Sequence, residues 1–403
     1  MKTDQLCIEA QPGLNRDSTD PQPPPPDAAR FDKALDAWVL SRYADVLRAL
    51  REPGLCQVGP RSRYRSGTCD KNAQSRGRAK VRAALPYWRL AEWQPQMQLL
   101  AHNMMDELQT GRPIDLLSEF LWPWSLAVTL AIIDSGPVHS RRLADLAHYL
   151  PGGEIDCKNA VVRSRATRAV AELKSSFRMG LGIKPVRESA FRVLSQFLHG
   201  SIATASFAFP KWVANTKFKK LDRRGALGLG KSVFLGSSQT IPLFLANAWR
   251  ALFRHPAELA RLWAEPALMP RAIEELLRYA GVVHTLFRQA TVKVDIGGVK
   301  ISENQRVILK LRSANWDPAQ FPEPDRLDVT RSAAGQVALG AGPNSCVGAA
   351  LVRIAAAVAT KALIDKFVVA ETDDTVEWYL NSTVCSPASL RVLLQSRLTG
   401  HES

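Results

Sequence analysis

No CxxC pair occurs in this chain. Its six cysteines, Cys7, Cys56, Cys69, Cys157, Cys346 and Cys385, stand singly and far apart. That spacing argues against a zinc module and against a disulfide framework, and it favours a reducing compartment. Long apolar runs are missing too. The longest, Phe120 to Ile133, is interrupted by Pro123 and falls short of the roughly 20 residues a membrane span needs. The N-terminal stretch MKTDQLCIEA lacks the apolar core of a secretion signal. Together these absences argue against membrane insertion and secretion and leave the cytoplasm as the expected location. Acidic residues are also short: 38 against 53 Lys and Arg, a net charge of +15. No nucleic-acid-binding motif accompanies that excess, so a docking face for an acidic protein partner is the better reading, with an ordinary solvated basic surface close behind.

What is present suffices for a sizeable core, with 46% of 403 residues hydrophobic. Residues 1–30 are polar and contain the run PQPPPP from Pro21 to Pro26, which predicts a flexible arm. Residues 31–403 are then expected to form a single domain. Asp36 to Leu40 reads as a strand and Ser41 to Arg51 as a helix. Helical patterns dominate from about Ala79 to Arg288, with breaks near Pro113, Pro151 to Gly153, and Pro210. Thr291 to Leu311 alternates apolar and polar residues around Gly297-Gly298, the pattern of a hairpin. A last helix is expected from Cys346 to Phe367, followed by strand-like texture from Val376 to Leu394.

The chemistry concentrates in Leu339 to Arg353, LGAGPNSCVGAALVR. Cys346 lies among glycines and opens into a helical pattern. Glycines let the backbone approach a large flat group, since no Cβ intervenes. The first helical turn presents unpaired N–H groups and partial positive charge, which favour thiolate over thiol. A buried free cysteine at a tight turn is the plainer alternative for the residue taken alone.

This loop resembles the haem-binding loop of the cytochrome P450 superfamily, Phe-Gly-x-Gly-x-His-x-Cys-x-Gly followed by a helix. Gly340, Gly342, Cys346 and Gly348 match; Leu339 replaces the usual Phe and Asn344 the usual basic residue. Other stretches match in order. Ile273 to Tyr279, IEELLRY, resembles the family's Glu-x-x-Arg signature, with Glu275 and Arg278 on one helix face. The resemblance implies a third member of that buried cluster, an arginine from the meander before the loop, assigned to Arg326 in FPEPDRLD. It implies that Arg288 meets a haem propionate, and that QSRGRAKV at Gln74 to Val81 supplies a second contact through Arg78, Gln74 standing in for histidine. Without the resemblance, Arg76, Arg78, Lys80 and Arg82 read as a solvated basic stripe.

The resemblance implies a mostly α, triangular helical domain with a small β subdomain, with haem b buried between the central and last long helices. It implies Cys346 as axial thiolate ligand. It also implies monooxygenation, chiefly hydroxylation, of a small apolar molecule such as a secondary-metabolite intermediate. Electrons would come from an acidic ferredoxin-type donor and its reductase, with the chain acting as a monomer. One segment departs from the family. Phe234 to Pro242 reads FLGSSQTIP where Ala-Gly-x-(Glu/Asp)-Thr-Thr is usual. Aligned on Gly236, Ser238 takes the acid position and Gln239 the alcohol position, with Thr240 next; a one-residue bulge would return Thr240 to the alcohol position. No carboxylate is present in that turn, so a peroxide-driven oxidation, a coupling or rearrangement, or a non-catalytic haem-binding role stand as alternatives. The segment from Leu55 to Gln74 is short for the family, and Pro151 to Arg224 diverges from it.

Overall fold

The computed structural model describes residues 22–59, 87–133, 234, 236–371, 376–380 and 382–397. Its helices are α1 (Tyr43–Arg51), α2 (Tyr87–Glu92), α3 (Gln94–Asp106), α4 (Trp122–Ile133), α5 (Ile241–Phe253), α6 (Pro256–Ala264), α7 (Met269–Ala280), α8 (Leu311–Asn315) and α9 (Ala349–Lys366). Its strands are β1 (Arg30–Asp32), β2 (Ala37–Leu40), β3 (Leu55–Val58), β4 (Pro113–Asp115), β5 (Thr285–Ala290), β6 (Val294–Ile296), β7 (Val299–Ile301), β8 (Arg306–Lys310), β9 (Phe367–Glu371), β10 (Trp378–Leu380), β11 (Cys385–Pro387) and β12 (Arg391–Ser396). The chain divides into two compact units, and the helices α5 and α9 each begin in one and continue into the other. Helices outweigh strands, as the sequence patterns predict. Among the described residues no helix is long and apolar enough to cross a membrane.

The first unit takes in the described residues up to 59, Ala246–Ala349 and Val369–Leu393. Its centre is a five-stranded sheet in the order β1-β2-β8-β5-β3. Only β2 and β8 run parallel, with Ala37 opposite Arg306; the other pairings are antiparallel. Alternation along the strands gives two apolar faces. One carries Ala37, Val39, Val58, Phe287 and Ile308. The other buries Leu40, Ala290, Val307 and Leu309 beneath Val46, Ala49 and Leu50 of α1. The predicted hairpin is β6 and β7, paired antiparallel about Gly297 and Gly298. Both glycines have positive φ, 63° and 76°, the requirement of a type I′ turn whose twist suits the flanking strands.

Helix α7 shows why its sequence is helical and which face goes inward. Met269, Ala272, Ile273, Leu276, Leu277 and Ala280 are all buried, at the spacing of one helical stripe. Gly281 ends it, because a Cβ there would lie 2.6 Å from the Leu277 carbonyl and 3.0 Å from Ala338 Cβ. The N-terminus of α1 has no cap from its own chain segment. Instead Asp317 supplies a carboxylate from afar, its Oδ2 accepting from the Tyr43 amide at 2.8 Å, which suits the positive end of the helix.

The second unit holds the described residues from 87 to Leu245, Ala350–Val368 and those from Leu394 on. Two π-turns stand out, Leu117–Leu121 before α4 and Gly236–Thr240 before α5. Each is followed by a proline at the second residue of the helix, Pro123 and Pro242. Proline lacks the N–H that would bond the carbonyl four residues back and its ring clashes with that carbonyl. The widened turn relieves both. Helix α9 is buried on most sides, from Leu351 to Ile364, where repeated alanines permit close packing.

Two expectations about the arm and the cysteines change. Residues 22–29 extend into β1 and are tied down: Ser41 Oγ accepts from the Asp27 amide at 2.8 Å and lies 3.1 Å from the Asp27 carbonyl. Cys56 is disulfide-bonded, against the expectation of unpaired cysteines. Its partner lies outside the described residues. Pairing depends on spatial approach, which the spacing along the chain does not reveal.

Candidate active site

Leu339 to Gly348 form a loop of the first unit that leads into α9. Gly340 and Gly342 have φ of 68° and 66°, a region that costs other L-residues roughly 1–2 kcal/mol. These reversals fold the chain back so that the Cys346 amide donates to the Leu339 carbonyl at 2.7 Å. Gly342 also packs the loop on α1: an added Cβ would lie 3.1 Å from Arg51 Cα and from the Leu50 carbonyl, both backbone atoms. We therefore expect Gly342→Ala to lower stability by about 2 kcal/mol, read as a reduced urea midpoint.

At Gly348 the situation differs. A Cβ would meet only Cys346 Sγ, at 3.9 Å, an ordinary contact; the chain's own packing does not demand glycine here, and its absence of a side chain leaves the space beside the sulfur open. Cys346 is outside any disulfide and half-buried. No residue from Leu339 to Ala350 is buried, although Val347, Ala349 and Ala350 are apolar. The loop thus presents a shaped apolar surface around one sulfur at the start of a helix. That donor set and clearance fit a haem-thiolate site.

Arg288, on β5, is 1% exposed, and its Nη1 donates to the Phe287 carbonyl at 2.9 Å. Asn344, in the short helical turn Gly342–Asn344, is half-buried. Gln74 and Arg78 lie outside the described residues, as does the segment from Pro151 to Arg224.

Glu275 and Arg278 are both completely buried and form a bidentate pair, Nε to Oε2 at 2.7 Å and Nη2 to Oε1 at 2.8 Å. Arg278 further donates to the carbonyls of Asn315, Pro324 and Arg326. The expected third member is corrected. Arg326 points outward, 63% exposed, and pairs with the equally exposed Glu323. Arg331 takes the place assigned to it, donating from Nε to Glu275 Oε1 at 3.1 Å and from its terminal nitrogens to the carbonyls of Pro322, Glu323 and Arg326. The reason is local. Asp328 Oδ1 accepts from both the amide and hydroxyl of Thr330, a turn that carries the chain back over α7. Arg331 follows that turn. Arg326 precedes it, and contributes its backbone carbonyl rather than its side chain.

In the second unit the π-turn contains the residues expected at the distal position. Ser238 is 1% exposed, and its Oγ donates to the Phe234 carbonyl at 2.5 Å. Thr240 Oγ1 likewise donates to the Gly236 carbonyl. Both hydroxyls are therefore engaged with their own helix, and the bulge does not free Thr240. Gln239 differs: it is half-buried, and its Nε2 is shielded without an acceptor among the described residues. Gly236 is exposed, with nothing within 4 Å of where a Cβ would stand. Ser237 was not singled out by sequence, yet it anchors the turn. Its carbonyl accepts from Ser125 Oγ at 2.8 Å and its hydroxyl lies 2.7 Å from Thr129 Oγ1. The signal lay in two prolines, Pro123 and Pro242, each at the second residue of the helix after a π-turn.

Comparison with known proteins points to a family. Residues 264–393 match the family model of cytochrome P450. Cytochrome P450 107B1 of Saccharopolyspora erythraea is 26% identical over 379 residues, 88% of each chain. The 6-deoxyerythronolide B hydroxylase of the same organism is 24% identical, covering 82% of this chain and 83% of its own. A solved structure of CYP109Q5 from Chondromyces apiculatus superposes with a TM-score of 0.74 at 23% identity, covering 92% of both chains. That of CYP109E1 from Bacillus megaterium, in complex with corticosterone, gives 0.74 at 21% identity, over 91% of this chain and 94% of its own. The glycine-framed thiol, the buried Glu275–Arg278 pair and these likenesses agree: the chain resembles the bacterial cytochrome P450s over most of its length, and the likeness supports a haem-thiolate monooxygenase.

Proposed function

We propose that this enzyme hydroxylates a small apolar molecule, a secondary-metabolite intermediate, with electrons from an acidic ferredoxin and its reductase. The clearance that Gly348 keeps beside Cys346 Sγ carries the reading. A relative named as 6-deoxyerythronolide B hydroxylase supports the substrate class. The net charge of +15 supports the acidic donor, through steering at long range. The enzyme acts as a monomer in the cytoplasm.

Haem, when bound, supplies the activation of dioxygen and the insertion of one oxygen atom into a C–H bond. The chain does the rest. Cys346 serves as the thiolate ligand, its charge favoured by the start of α9. Arg288 would hold a propionate, a planar fork suiting a carboxylate; Arg78 and Gln74 would add further contacts, and neutral Gln74 and Asn344 would bond more weakly than charged partners. Leu339 and Gly340 would leave room for a flat ring. Gln239 is the polar group of its own turn left to orient a water. Its amide can donate and accept but is not a proton source near neutral pH.

Ser238 and Thr240, occupied by their own carbonyls, favour a second reading in which hydrogen peroxide drives the oxidation. One variant separates the two. Gln239→Glu adds an acid at the half-buried position without disturbing Ser238. If proton supply limits turnover, product formed per NADPH with the ferredoxin system should rise, by up to about a hundredfold, while peroxide-driven turnover stays the same. No gain, together with efficient peroxide turnover in the parent enzyme, would favour the second reading.

A further inference from the structure

A cleft of the first unit shares none of its lining with the Cys346 loop, Arg288 or the Glu275 cluster. It measures about 300 Å³ including its open mouth, and His284, Lys310, Arg312 and Ser313 line it, with Pro23 and Pro24 of the N-terminal arm along one side. Three of these side chains can carry positive charge, and no carboxylate is among the lining residues. The Nε of Arg312 is shielded from solvent and has no acceptor among the described residues.

A buried guanidinium donor without an acceptor is costly. Asp32, on β1, faces Lys310 electrostatically, but it is held by Arg30 at 3.3 Å and by the amides of Ala34 and Leu35. Burial, with the charge of Arg30, pulls Lys310 down to about 8 against the pull of Asp32. A second acceptor brought from solvent would relieve both cations.

We propose that this cleft binds the carboxylate of a small organic acid, Arg312 and Lys310 holding its oxygens and the arm at Pro23-Pro24 forming a wall. A guanidinium's planar fork makes two parallel hydrogen bonds to a carboxylate, a match that neither a halide nor a lone amine reproduces. The enclosed floor has room for about one water-sized group, which suits one carboxylate oxygen and disfavours a bulkier tetrahedral anion. The cleft uses no residue of the haem site, so this inference stands independently of the hydroxylase reading.

Acylation of Lys310 tests it on the full purified chain. At pH 8 the amine is partly neutral and reacts with an acetylating ester, and peptide mass mapping follows the modification of that one residue. Sodium acetate at about ten times its Kd should slow modification about tenfold, while sodium chloride at equal ionic strength should not. Arg312→Gln should abolish the protection; if that variant does not fold, Arg312→Lys, which keeps charge but loses the fork, should weaken it severalfold. Equal effects of acetate and chloride, protection that survives in both variants, or stronger protection by inorganic phosphate than by acetate would each overturn the assignment.

Discussion

Replacing Cys346 by serine is expected to abolish the red-shifted Soret band of the reduced, carbon-monoxide-treated protein and to reduce ferredoxin-driven turnover to background. The argument runs from the loop outward. Gly340 and Gly342 reverse the chain, the Cys346 amide bonds the Leu339 carbonyl at 2.7 Å, and Gly348 leaves the sulfur uncovered. Serine preserves that geometry, since its hydroxyl is smaller than the thiol and no neighbour must move. What it removes is the polarizable thiolate that directs electron density onto the iron. An alcohol with no lowered pKa offers no equivalent ligand near neutral pH. The fold should therefore persist, with circular dichroism unchanged, while the spectral signature disappears. A retained red-shifted band would mean that another group holds the iron, and Cys385, the other cysteine outside a disulfide among the described residues, is 3% exposed on β11.

Much of this site was legible in the sequence because its constraints are local. A glycine two residues after a cysteine, or at a reversal before it, reports on backbone room within a few residues. The Glu275–Arg278 pair is legible for the same reason, three apart on one helix, and the apolar stripe around it predicts its burial. The hairpin at Gly297-Gly298 is fixed by turn chemistry alone. What escaped was set by distance. Arg326 and Arg331 are equally plausible in FPEPDRLDVTR, and only the turn at Asp328 decides which returns to Glu275. The fate of Ser238 and Thr240 depends on Phe234, Gly236 and Pro242 together, so a polar residue read as a distal group proves to bond its own helix. The engagement of the arm through Asp27 and Ser41 and the disulfide at Cys56 likewise depend on partners that sequence spacing does not show.

The correction from Arg326 to Arg331 has a large and measurable consequence. Glu275 is fully buried and accepts from two arginines and from the Asp328 amide at 3.2 Å. A buried cluster of this kind tolerates no missing member, because the charges left behind stay out of water. Glu275→Gln leaves Arg278 and Arg331 without their shared anion and should cost about 3–5 kcal/mol. Arg331→Ala removes one guanidinium and its bonds to three carbonyls of the meander. The surviving Glu275–Arg278 pair softens the loss to about 3 kcal/mol. Arg326→Ala should change stability by less than about 0.5 kcal/mol, since its side chain meets only exposed Glu323 and its carbonyl remains in alanine. Urea denaturation of the three variants would order them. If Arg326→Ala proved as damaging as Arg331→Ala, the meander would have to approach α7 through a different residue than the one the geometry places there. The same ordering should hold for haem retention, because the segment these arginines fix runs directly from Arg331 into Leu339 and the loop that presents Cys346.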